Sequence, residues 1–163
     1  MQKLEQCVDA LLRLAVAEDS HSQREAKEKI SELIKTNHGI YPGEETRNAE
    51  SIIRSLMMEM GSPDHLLGHP YVIRGILLAV DDPKYINSIT YLLYPTIAAE
   101  FSTTACRVER AIRHVIEVTW SRGDIDVLFK YFGNTIDPVR GRPSNGEFIA
   151  RMANIVRMRL KER

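Results

Sequence analysis

Within two helical turns the chain sets down Arg107, Glu109, Arg110, Arg113 and His114. Three arginines, a carboxylate and an imidazole at this spacing have the chemistry of base-edge recognition. A guanidinium fork can donate to O6 and N7 of one guanine, and a carboxylate can accept from the amino group of cytosine. Interleaved with them, Val108, Ala111, Ile112, Val115 and Thr119 recur at helical spacing, which puts the polar set on the opposite side of a single helix. Just before that helix, the hydroxyls of Thr103 and Thr104 and the unbonded N–H groups of its first turn suit a phosphate oxygen.

A helix that reads bases must be held by another. The spacing predicts a helix from Ser88, a tight turn around Phe101-Ser102-Thr103, and a long helix running to Arg122, the layout of a helix-turn-helix. Any two consecutive amphipathic helices can imitate that layout. A solvated face, however, ordinarily carries Lys and Glu in i, i+4 pairs, whereas this one gathers arginines in the half that meets base edges in a reader. On residue chemistry alone, a base-reading face and an ordinary polar face both stand.

The rest of the chain reads as helical, with no sustained period-2 alternation. Leu4, Val8, Leu11, Leu12 and Ala15 form one stripe. After a break at Asp19-Ser20-His21, Ser22-Gln23-Arg24-Glu25 is a capping box opening a second helix with Ala26, Ile30, Leu33 and Ile34 inside. Residues 1–39 therefore read as a helical hairpin. Pro42 and Gly43 stop helix propagation, so residues 40–44 are expected to link the hairpin to a domain over 45–163. In that domain Ile52, Ile53, Leu56, Met57 and Met60 mark one inner face, ended by Gly61. Tyr71, Ile73, Ile76, Leu77 and Val80 mark another, after Gly68-His69-Pro70. Gly123 is expected to close the long helix, Asp124 to cap a short one through Ile125, Leu128 and Phe129, and Gly133-Asn134 to turn the chain. A loop from Asp137 to Pro143 carries Arg140 and Arg142. Ser144-Asn145-Gly146-Glu147 is another capping box, before a last helix with Phe148, Ile149, Met152, Ile155, Val156 and Met158 as its apolar set. The expected fold is all-α: a compact domain of about six helices containing a helix-turn-helix, preceded by the hairpin.

With 163 residues and 44% hydrophobic side chains the chain can bury a core. Its 22 Lys/Arg balance 22 Asp/Glu, which by itself argues against a nucleic-acid partner. The balance conceals a gradient: residues 1–50 hold seven basic and ten acidic side chains, residues 140–163 seven and two. A basic end is compatible with phosphate contact, because the local field counts, and equally with a solvated Arg-rich helix. Cys7 and Cys106 have no CxxC partner, so no disulfide scaffold is expected and a reducing, cytoplasmic setting is. The Cys106 thiol beside Arg107 and Arg110 is suited to sensing oxidants, though a small side chain filling its slot is the simpler reading. The N-terminus is no signal peptide and no apolar run reaches the length of a membrane span. The five histidines lack ligand spacing, and GxSxG, HExxH and Gly-rich phosphate loops are missing. Neither metal, cofactor nor catalysis is expected.

Three stretches carry a resemblance: NSITYLLYPTIA from Asn87, RVERAIRHVIEVTWSRGDID from Arg107, and FGNTI from Phe132. Together they closely resemble the C-terminal DNA-binding domain of the sporulation initiation response regulators of endospore-forming bacteria, over roughly Ser51 to Val156. The resemblance implies a six-helix domain of the winged-helix-like superfamily. It also implies binding to a short box of double-stranded DNA upstream of sporulation genes, often as tandem dimers, and contact with a sigma subunit of RNA polymerase. Residue by residue, it implies that Arg107, Glu109, Arg110, Arg113 and His114 face the major groove and that Thr103, Thr104, Ser121 and Arg122 lie near phosphates. Asp124 to Asn134 would face polymerase.

The chain also departs from that pattern. Fifty residues cannot hold the family's receiver, a βα-alternating domain with a phosphorylatable Asp, so no phosphoryl switch is expected. The hairpin in its place could make a homodimer or simply pack on the domain; the homodimer is expected, because two helices beyond a linker have little else to bury against. Tyr91, Ala99 and Glu100 stand where more basic residues are expected, so phosphate attraction should be weaker. Ala105-Cys106 replaces the usual Pro-Ser, removing a preset N1 proline. The expected function is a sequence-specific transcription regulator. The alternative is a protein-interaction module that titrates a full-length regulator or the sigma subunit.

Overall fold

The structure, a computed structural model, describes residues 44–133 and 141–162, and every regular element in them is helical. The hairpin expected over 1–39, the linker up to Gly43, and Asn134 to Arg140 lie outside the described residues. Two compact units divide the chain, Met1–Arg47 and Asn48–Arg163. The helices of the second unit are α1 (Glu44–Glu59, beginning in the first unit), α2 (His69–Asp81), α3 (Lys84–Asn87), α4 (Tyr94–Glu100), α5 (Ala105–Arg122), α6 (Ile125–Phe132) and α7 (Asn145–Lys161).

Burial follows the apolar spacing. Ile52, Ile53, Leu56, Met57 and Met60 are all buried, as their period predicts. In α2 the residues Tyr71, Val72, Ile73, Ile76, Leu77, Leu78 and Ala79 are buried, so this helix is apolar nearly all round. Such a helix belongs in the middle, and α2 packs against α4, α5 and α7. Phe132 stacks on Phe148 at 5.2 Å, and the half-buried Trp120 meets both rings edge-on at 5.0 and 6.0 Å, tying α5, α6 and α7 together.

The helix ends behave as their residue types require. Ser144 Oγ accepts from the Glu147 N–H at 3.3 Å while the Glu147 carboxylate accepts from the Ser144 N–H at 2.7 Å, completing the capping box. Asp124 Oδ1 accepts from the Asp126 N–H at 2.9 Å. Gly61 takes φ +71°, and the Ser62 N–H reaches back to the Met57 carbonyl at 2.9 Å.

Three expectations need correction. The helix from Ser88 is not continuous: a π-helical turn, Ile89–Leu93, precedes α4. Pro95 cannot donate to the carbonyl four residues back and its ring clashes there, so a regular helix cannot run through. Second, the expected helices do not include the one-turn α3, which follows α2 directly, with the Asp82 carboxylate accepting from the Lys84 N–H at 2.9 Å. Third, Ile125, Phe129 and Met158 are 68%, 62% and 62% exposed. The inner arc of the short α6 is already filled by Leu128, Tyr131 and Phe132, and Met158 lies away from the Phe148, Met152 and Val156 stripe at about 100° per residue.

Candidate nucleic-acid interface

The turn between α4 and α5 is closed by backbone geometry. The Thr103 N–H donates to the Ala98 carbonyl at 2.9 Å, a six-to-one bond that requires a left-handed residue between, and Ser102 supplies it at φ +50°. Phe101 anchors the turn by meeting Tyr71 of α2 edge-on at 4.9 Å. Thr104 then caps α5, its Oγ accepting from the Arg107 N–H at 3.3 Å.

Once started, α5 runs for 18 residues, about 27 Å. Val108, Ile112, Val115 and Thr119 are fully buried. At about 100° per residue, Arg110 and Glu117 lie almost opposite that stripe, with Arg107, Arg113, His114 and Ser121 to either side. Arg107, Arg110, Arg113 and His114, the readers expected from sequence, therefore share one exposed face. Glu109, half-exposed, sits at its edge beside the buried Ile116. The phosphate set is not brought together: Thr103 and Thr104 stand at one end of α5 and Ser121 and Arg122 at the other, about 25 Å away. Ser121 Oγ donates to the Val118 carbonyl at 3.0 Å.

The electrostatics of this face explain how a neutral protein can present a cationic surface. Three carboxylates lie between Ser88 and Arg122, and each is taken by an arginine. Arg74 of α2 grips Glu100 with both arms of its fork, Nε to Oε2 at 2.5 Å and Nη2 to Oε1 at 2.7 Å. Arg113 pairs with Glu109 one turn back along α5. Arg142, from the loop before α7, donates to Glu117 at 2.6 Å. Among the described residues, the side chains of Arg107, Arg110, His114 and Arg122 have no hydrogen bond or ion pair. The acid at position 100 thus has its charge compensated inside the domain, and Arg113 and Glu109 act as a pair.

Sequence reasoning missed two residues that set the pose of α5. Asn145 was visible only as part of a capping box, yet its buried Nδ2 donates to Tyr94 Oη and to the Glu109 carbonyl, both at 3.0 Å, joining α7 to both helices of the motif. Gly68, before α2, lies so close to the Ala111 carbonyl that a Cβ there would overlap it. Next to it His69 is buried, which pushes its imidazole below the usual pKa.

A seven-residue support helix, a four-residue turn and a long helix with an open cationic face define a helix-turn-helix DNA-binding domain. The chain matches the family model described as Sporulation initiation factor Spo0A C terminal over residues 53–156, well over half its length, and it belongs to that family. The family is a DNA-binding domain of sporulation regulators and not an enzyme family. Among the described residues no helix is long and apolar enough to cross a membrane.

Proposed function

We propose that the chain is a sequence-specific cytoplasmic transcription regulator that reads double-stranded DNA with α5. Arg107, Arg110 and His114 meet base edges directly, and Arg113 and Glu109 do so as a coupled pair. Thr103 and Thr104 at one end, and Ser121 and Arg122 at the other, hold phosphates on the two borders of the groove. One observation carries this reading: on a face where every carboxylate is paired, Arg107 and Arg110 have no partner among the described residues. A free guanidinium is the group able to take a guanine edge with both arms.

The test is a gel shift of the full chain on the family's DNA box and on a scrambled duplex across a salt series. Tighter binding to the box at every salt concentration is expected, with both affinities falling as salt rises. Equal affinity for the two duplexes would refute sequence-specific reading.

In this reading the reading face of α5 is exposed as it stands, so DNA binding by these residues needs no phosphoryl group. The N-terminal hairpin serves instead as a homodimerisation surface. Removing residues 1–39 is expected to turn a dimer into a monomer in light scattering. A truncated protein that remains dimeric would dispose of the hairpin's role.

A second reading is favoured by α6, where Ile125 and Phe129, one turn apart, are both largely exposed. An apolar pair of this kind on a fixed helix suits protein contact, in line with a sigma subunit or a full-length regulator as partner. It coexists with DNA reading, because α6 begins beyond the C-terminal end of α5.

A further inference from the structure

Glu117 is an odd residue for a DNA-facing surface. It lies two turns beyond Arg110 on nearly the same outward line of α5, so a duplex seated on this face brings phosphates toward its carboxylate. The cation one turn back cannot compensate it, because Arg113 is engaged by Glu109. Compensation comes from outside the helix-turn-helix. Arg142 Nη2 donates to Glu117 Oε1 at 2.6 Å, with the two side chains 42% and 39% exposed.

The loop delivers this guanidinium from a fixed base. Pro143 beside it is buried, Ser144 is locked into the α7 capping box, and Asn145 is bonded to the Glu109 carbonyl of α5. Arg142 and Arg113 both line the cleft of about 370 Å³ between α5 and the start of α7. The position of Arg142 relative to Glu117 is thus tied to α5 itself.

We propose that Arg142 is an affinity-determining positioning residue of the DNA-binding face, acting through Glu117. It neutralises that carboxylate and holds it, so that Glu117 neither repels the backbone nor swings toward the groove. The inference rests on α5 being the DNA-facing helix. In this proposal Arg142 acts through Glu117 and not as a phosphate ligand, a distinction that the double variant reads.

Fluorescence anisotropy of the full chain on the box and on the scrambled duplex, from about 50 to about 300 mM salt, tests this. Arg142→Gln is expected to weaken both duplexes by about five-fold at the lowest salt, the loss fading as screening shortens the reach of the bare carboxylate. Glu117→Gln should bind at least as tightly as the parent chain. The double variant should return to within about two-fold of Glu117→Gln, with melting temperatures recorded for all four proteins. A double variant as weak as Arg142→Gln would show a direct phosphate contact or a purely structural role, and would overturn the proposal; so would an Arg142→Gln protein of unchanged affinity. Failure of the parent chain to bind either duplex would instead remove the DNA-facing assignment, a result read from the first titration alone.

Discussion

Replacing Gly68 by alanine is expected to cost about 3 kcal/mol or more of stability, the upper range for overpacking, because the new Cβ meets backbone. Gly68 has φ −78°, which any residue adopts, so conformational freedom is not why glycine is there. The reason is approach. A Cβ would overlap the Ala111 carbonyl of α5 and lie 2.9 Å from Val115 Cγ2. A side chain can rotate away from such a contact, whereas a carbonyl in the middle of an 18-residue helix moves only with the helix. On a domain of this size the loss lowers the melting temperature by roughly 10–20 °C. Gly75, in the same helix, is the internal control. A Cβ there finds Ile149, Ile97 and Leu93 side chains at 3.4–3.7 Å, ordinary contact distances. Gly75→Ala is therefore expected to be neutral or stabilising by about 0.5–1 kcal/mol, the usual gain from removing a mid-helix glycine. Thermal denaturation followed by circular dichroism compares the two. Similar melting temperatures would mean that α2 and α5 separate easily, and that Gly68 does not set the pose of the reading helix.

That contact also marks where a sequence stops being legible. The core faces of α1 and α2, the caps at Asp124 and Ser144 and the recognition set on α5 follow from periodicity and side-chain chemistry, because each is decided within a few neighbouring residues. Arg110 points outward because Val108, Ile112 and Val115 point inward. Nothing local, by contrast, tells that Glu100 is answered by Arg74, 26 residues away, or Glu117 by Arg142, 25 residues away. The weaker phosphate attraction expected from Tyr91, Ala99 and Glu100 counted Glu100 as a bare charge; Arg74 answers that one position and leaves Tyr91 and Ala99 as they were. The exposed Ile125 and Phe129 fail for a related reason: in a helix of eight residues several apolar positions compete for one narrow inner arc, and only the neighbouring helices decide which are covered. Asn145 had a signal, its place at the first position of a capped helix, but that signal reports on its own helix and not on the Tyr94 hydroxyl it bonds.

Arg110 is where local legibility and tertiary geometry agree, and its truncation is expected to produce the largest change in DNA binding. It is the arginine most nearly opposite the buried stripe, and among the described residues no carboxylate holds it. Arg110→Ala removes a two-armed base contact and disturbs no partner among the described residues, so the loss on the family's box is about 1–3 kcal/mol, roughly five- to 150-fold, with a much smaller loss on scrambled duplex. Arg113 offers the contrast. Its removal releases the Glu109 carboxylate at the edge of the same face, so Arg113→Ala should weaken both duplexes together in addition to any base-specific loss. The ratio of box to scrambled affinity, measured at fixed salt, separates the two variants even where their total losses are alike. An equal loss on both duplexes for Arg110→Ala would mean that Arg110 meets only the backbone, and the outermost position of α5 would then lie against a phosphate ridge and not in the groove.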